Sequence, residues 1–160
     1  MFCTRITGEP IEANIQKKSE ELPVWGRFTR YTVKDGRIPV GRVDLRDTEQ
    51  GVYVLFVEKL NPKYKHFGQL ADAIEVNHCM NRGMDTFEIN SEAALNSHVQ
   101  HYKRGKRFRD EKVNKFVKHL LDTARIGEKF NTLFLGKVNM YMPQELIDKY
   151  VGILKKKPII

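Results

Sequence analysis

The sequence predicts an α/β fold, a mixed and largely antiparallel sheet with helices on both faces, in a single domain over residues 1–160. Three observations carry this. Two β-rich runs, Trp25–Val33 and Ile38–Leu45, flank Lys34-Asp35-Gly36-Arg37, and Asp-Gly between such runs signals a hairpin. Val52–Leu60 is apolar on successive residues, with Val52, Val54 and Phe56 on one face and Tyr53, Leu55 and Val57 on the other. A strand of that kind belongs in the middle of a sheet covered on both sides. From Gly68 the apolar period turns helical and then returns to a strand, so hairpins feed a strand–helix–strand unit.

The elements follow in order. Residues 9–22 carry a helical period through Ile11, Ile15 and Leu22, and Pro23 stops it because proline cannot continue a helix. After the hairpin, Asp47-Thr48-Glu49-Gln50-Gly51 makes a turn into the central strand. Gly68–Asn81 is a helix whose buried side is Leu70, Ala73, Ile74, Val76 and Met80, closed by Arg82-Gly83. Thr86–Ile89 is a short strand, and Ser91 caps a helix with Leu95, Val99 and Tyr102 on one face. Asp110 opens an amphipathic helix through Val113, Phe116, Val117, Leu120, Leu121 and Ala124 to Gly127. Leu133, Leu135, Met140 and Met142 mark strand structure, and Pro143 starts a last helix through Leu146, Ile147, Tyr150 and Ile153.

Composition narrows the partners. A chain of 160 residues buries roughly 70% of its unfolded surface, and 41% hydrophobic content supplies that core without cross-links. Cys3 and Cys79 form neither a metal-ligand pair nor a disulfide framework, which points to a reducing compartment. The first residues lack a signal-peptide core and no apolar run approaches a membrane span, so a cytoplasmic location is expected. A formal net charge of +8 favours an anionic partner: nucleic acid, acidic protein or a phosphorylated cofactor.

The chemistry concentrates between Gly51 and Phe108. The central strand runs through Asn61-Pro62-Lys63-Tyr64-Lys65-His66-Phe67-Gly68, a basic turn, into the start of a helix. Free N–H groups at a helix start, with lysines beside them, are a natural seat for phosphate. In order and spacing this stretch resembles the core of the GNAT superfamily of acyl-CoA-dependent N-acyltransferases, over about residues 38–108. Pro62-Lys63-Tyr64 corresponds to the family's Pro-x-Tyr after the central strand. Lys65-His66-Phe67-Gly68-Gln69-Leu70 occupies the pyrophosphate turn, with Gly68 on the first glycine, Lys65 where Arg or Gln is usual and Leu70 where Gly or Ala is usual.

The resemblance implies acetyl-CoA, or another acyl-CoA, as co-substrate. Cofactor-binding residues would be Leu60, Lys65, His66, Phe67, Gly68, Gln69, Leu70 and Asn96. Tyr102, which precedes Gly105 and Phe108, would protonate the departing thiolate, and Glu58 on the central strand would deprotonate the amine. Tyr102 also fits a packed core position, and Glu58 a strand-end carboxylate reaching solvent. The acceptor amine is not legible; the positive charge argues only against a polycationic one.

Two other functions fit the same fold. Lys103 to Arg109, interleaved with Tyr102 and Phe108, reads as a nucleic-acid footprint, and a GNAT-like domain without catalysis would bind a protein partner. His66, His78, His98, His101 and His119 have no metal-site spacing, and Ser91 and Ser97 have no nucleophile context.

Overall fold

A computed structural model describes residues 2–24, 26–83, 88–93, 98–123 and 138–160. Its main sheet has seven strands. They are β2 (Ala13–Leu22), β3 (Gly26–Asp35), β4 (Ile38–Asp47), β5 (Val52–Lys59), β7 (Ile89–Ala93), β8 (Arg107–Phe108) and β9 (Val138–Tyr141), in the order β2-β3-β4-β5-β7-β9-β8. Every pairing is antiparallel except β5 with β7. A second, two-stranded sheet joins β1 (Thr4–Arg5) to β6 (Tyr64–Lys65). The helices are α1 (Phe67–Asn81), α2 (His98–Arg104), α3 (Glu111–Thr123) and α4 (Gln144–Lys156).

The hairpin at Asp35-Gly36 forms as expected, with Asp35 facing Ile38 and Gly36 at φ 58°. The expected helix over 9–22 does not. Residues 13–22 are instead strand β2, paired with β3 through ten consecutive positions from Ala13–Asp35 to Leu22–Gly26. Three large apolar residues in fourteen are too few to hold a helix on a core. The ready edge of β3 offers backbone partners to the whole segment. The strand after α1 begins at Ile89, so Ser91 lies within it rather than capping α2. Leu95, Leu133 and Leu135 lie outside the described residues.

β5 departs from simple alternation. Asp44 faces Phe56 and Leu45 faces Val54, so Leu55 is an extra residue and the strand bulges there. The bulge moves Phe56 and Glu58 to the face opposite Val54, correcting the expected grouping of Val54, Phe56 and Glu58. That opposite face is polar: Arg30 pairs with Asp44 at 2.9 Å, and Arg42, Arg30 and Arg46 lie over Phe56, Phe28 and Tyr53.

The face of Val43, Leu45 and Val54 carries α1. That helix is buried from Phe67 to Cys79 with few breaks, because α4 packs on the side the sheet leaves open. Phe67 seats its first turn on β4: a Cβ at Gly41 would lie 2.4 Å from the Phe67 ring, so only glycine admits the contact. Further along, the Tyr31 hydroxyl donates to His78 Nδ1 at 2.7 Å. His78 Nε2–H then donates to Asp47, also at 2.7 Å, tying helix to sheet through the imidazole.

Asp35 clamps the small sheet to the large one. Its carboxylate accepts from Arg5 Nε at 2.8 Å, the Glu12 N–H at 2.9 Å and the Tyr64 hydroxyl at 3.0 Å. The Arg5 hydrogen bond leads in holding its pKa down at about 2. Among the described residues, no helix is long and apolar enough to cross a membrane.

Candidate functional site

β5 and β7 run side by side over only three paired positions, Val52–Ile89, Tyr53–Asn90 and Val54–Ser91. β5 then continues to Lys59 and β7 to Ala93 without further pairing to each other. Parallel strands that part leave main-chain N–H and C=O groups along the slot, and such groups need partners. The slot opens into a cleft of about 1200 Å³. One wall is the residues around the bulge, Val54 to Val57; another is the first turn of α1, from His66 to Leu70. α2 adds Gln100, His101, Lys103 and Arg104, and α4 adds Lys149, Tyr150 and Ile153.

The start of α1 is electropositive for two reasons. Its first N–H groups have no acceptor within the helix, and the macrodipole places partial positive charge there. His66 sets the entry of the chain at φ 62°, a left-handed conformation uncommon for a residue with a Cβ, so that the helix begins at Phe67. Gly68 faces Arg104: a Cβ at this position would lie 2.6 Å from Arg104 Nη1. The missing side chain therefore lets a guanidinium lie against the first helical turn.

Arg104 is held from both sides. Its Nε donates to Asp72 at 2.9 Å, and its Nη2 donates to His101 Nδ1 at 2.7 Å, which leaves the imidazole proton on Nε2. Below it, Lys106 is 1% exposed and reaches Asp72 at 3.2 Å and Glu75 at 3.1 Å. Burial raises Glu75 to about 7, only partly offset by Lys106. Burial pushes Asp72 the same way, but Lys106 and Arg104 outweigh it and hold that carboxyl low. Burial alone would lower Lys106; Asp72 and Glu75 raise it instead. Two acids on α1 and two bases from the α2–β8 segment thus form the floor beside the cleft.

The structure brings part of the expected site together. His66, Phe67, Gly68, Gln69 and Leu70 line the cleft, and Leu70 is buried in the core, where it leaves the helix start open. Leu60 and Lys65 are exposed and stand off the cleft wall; Leu60 donates its N–H to Val40, and Lys65 pairs with Thr4. Asn96 lies outside the described residues. Glu58 pairs with Arg42 at 3.2 Å on the far face of β5.

Tyr102 is turned away from the cleft. Its ring stacks on Phe108 at 6.2 Å beneath Arg107 and borders a separate pocket of about 230 Å³ with Tyr141 and Asn114. Its neighbour His101 takes the place in the cleft. The sequence carried a trace of this, because His101 and Arg104 share a face at i, i+3, as do Asp72 and Glu75 on α1. Asp72 and Glu75 on one face of α1 are acids in search of bases, and Arg104 and Lys106 are the bases that meet them.

The basic run Lys103–Arg109 is likewise not an open cationic surface. Arg104 and Lys106 point inward to Asp72 and Glu75. Arg107 donates to the Tyr102 and Lys106 carbonyls, and Arg109 pairs with Glu88. Among the described residues no group of three or more His, Cys, Asp or Glu is placed to hold a metal ion.

No family model matches the sequence, and no curated protein matches it significantly. Solved structures do. An acetyltransferase from Bacillus subtilis, determined in complex with CoA, superposes with a TM-score of 0.53 at 18% identity, covering 82% of this chain and 98% of that one. The chain has the fold of that acetyltransferase. A protein from Bacteroides thetaiotaomicron assigned to the GNAT family also matches, at TM-score 0.31 and 15% identity, over 84% of this chain and 72% of that one. Within this fold, the parted strands and the start of α1 are the features on which the cleft is built.

Proposed function

We propose that this chain is an N-acyltransferase that moves an acyl group, acetyl in the simplest case, from acyl-CoA to a primary amine. The observation that carries the reading is the slot between β5 and β7 opening onto the positively polarised start of α1. The residues suit such a co-substrate. A cleft of about 1200 Å³ has apolar walls for the pantetheine arm, and Lys103, Lys149 and Lys157 line it. The first N–H groups of α1 are arranged for a pyrophosphate. The CoA match of the Bacillus subtilis protein supports the same choice.

Acyl-CoA supplies the activated thioester; this chain orients it and handles the proton. Main-chain groups left unpaired on the β7 side of β5, from Leu55 on, hold the pantetheine amide and polarise the thioester carbonyl. The amine approaches from the other face of the slot, where Glu58, held by Arg42, takes its proton directly or through water. The C–N bond forms as the C–S bond breaks. The sulfur leaves with its electron pair against the α2 wall, where Arg104 and His101 favour negative charge, and solvent supplies its proton. The acyl-CoA half of the reading is tested by calorimetric titration with acetyl-CoA. Saturable binding that weakens when Lys149 and Lys157 are both changed to Glu is expected; no binding at millimolar ligand overturns the proposal.

A further inference from the structure

Among the described residues, strand β2 is an open edge. It lies at one end of the seven-strand order, and its pairing with β3 is unbroken over ten residues, with no bulge and no proline inside it. Residues 16–19, 21 and 22 are exposed. A long, regular edge of this kind presents a row of main-chain donors and acceptors to any strand that can lie beside it. Folded proteins commonly block such edges with lysine. Here Lys17-Lys18 are followed, after Ser19, by Glu20-Glu21.

That order is self-complementary. In an antiparallel pair of identical strands related by a two-fold axis normal to the sheet, the axis passes through one residue facing its own copy. Facing residues point to the same side of the sheet. With the axis at Ser19, Lys18 faces Glu20 of the second copy and Lys17 faces its Glu21. Each pair occurs twice and the two lie on opposite faces. Leu22, which is 41% exposed, then lies across from Gln16. Moving the axis one residue either way sets Lys18 against Lys18 or Glu20 against Glu20, and like charges directly opposite are unfavourable. The charge order therefore admits one register and opposes its neighbours.

We infer that β2 is the interface of a two-fold dimer of this chain, centred on Ser19, that joins two seven-stranded sheets edge to edge. Within one copy Lys18 already reaches Glu20 at 3.3 Å; pairing would add the second copy's glutamate to the same lysine. The partner is a second copy rather than an unrelated strand because the match is between the segment and its own reverse. The inference stands on the edge alone and holds whether or not the cleft is catalytic.

The test is sedimentation equilibrium on the 18.7 kDa chain and on two variants of single sign. One carries Lys17→Glu and Lys18→Glu, the other Glu20→Lys and Glu21→Lys. The wild type is expected to dimerise, more weakly as salt is raised. Each variant alone is expected to be monomeric, and an equimolar mixture should restore a heterodimer. A monomeric wild type, a dimer that survives in either variant alone, or a mixture that stays monomeric each overturns the proposal. Hydrogen exchange on the wild type gives a reading that needs no variant. Protection of amides in 13–22 should rise with protein concentration, and protection there that is independent of concentration also overturns it.

Discussion

His101 and Tyr102 are adjacent, yet about 100° of helical rotation sends one into the cleft and the other against Phe108. Their substitutions should therefore separate. Tyr102→Phe keeps the ring, its stacking and its contact with Arg107, and removes a hydroxyl that faces a different pocket. Turnover should stay within a few-fold of the parent. His101→Ala removes the acceptor of the Arg104 Nη2 hydrogen bond and leaves the guanidinium fixed on one side only, by Asp72. Turnover should fall by roughly 10–10³-fold, with acyl-CoA affinity changed much less, the signature of a lost charge-stabilising interaction. Steady-state kinetics on the two variants with one amine decides it, and a larger loss in Tyr102→Phe would reverse the assignment.

At the scale of elements, the β3–β4 hairpin does more than join two strands, because its last β3 residue is the clamp on β1 and β6. Asp35 is 4% exposed and accepts from three separate segments. Asp35→Ala leaves the Tyr64 hydroxyl, the Glu12 N–H and Arg5 without that acceptor, and should cost about 2–4 kcal/mol in denaturant unfolding. The carboxyl is held at about 2, below its usual 3.8. Its contribution is therefore complete above the unfolded value and is lost as pH falls from there toward 2. An acid-unfolding midpoint that Asp35→Ala leaves in place would show that the clamp bears no load. Because β6 leads directly into His66 and α1, loosening it should also weaken ligand binding at the helix start.

For the whole molecule, the buried group of Asp72, Glu75, Arg104 and Lys106 couples the α1 side of the cleft to the α2–β8 segment. Glu75 is raised from 4.5 to about 7, so between those values the folded state binds a proton that the unfolded chain has released. Stability from this group is full below the lower value and lost as pH rises through the upper one, opposite in sign to Asp35. Unfolding free energy measured across that interval should decline with rising pH. Glu75→Gln, which keeps the shape and removes the titration, should flatten the decline. An unchanged slope in the variant would place the proton elsewhere.

The sequence by itself determined the class of fold, because the signals for it are local. Asp35-Gly36 makes the hairpin, the doubly apolar run makes β5, the 68–81 period makes α1, and Pro143 stands at the start of α4. It also located the start of α1, since the signals for a helix start, and the free N–H groups that come with it, do not depend on distant residues. Tertiary structure decided the rest. β2 is a strand because β3 offers it an edge, which no count of Ile11, Ile15 and Leu22 can reveal. The bulge at Leu55 reverses the face of Glu58, because one extra residue inverts a period of two. Arg104 and Lys106 left the basic run for the interior because Asp72 and Glu75, more than thirty positions away, were waiting without other partners for their charge. Local chemistry fixes which segments become elements; which side chain enters the cleft depends on contacts that exist only once those elements pack.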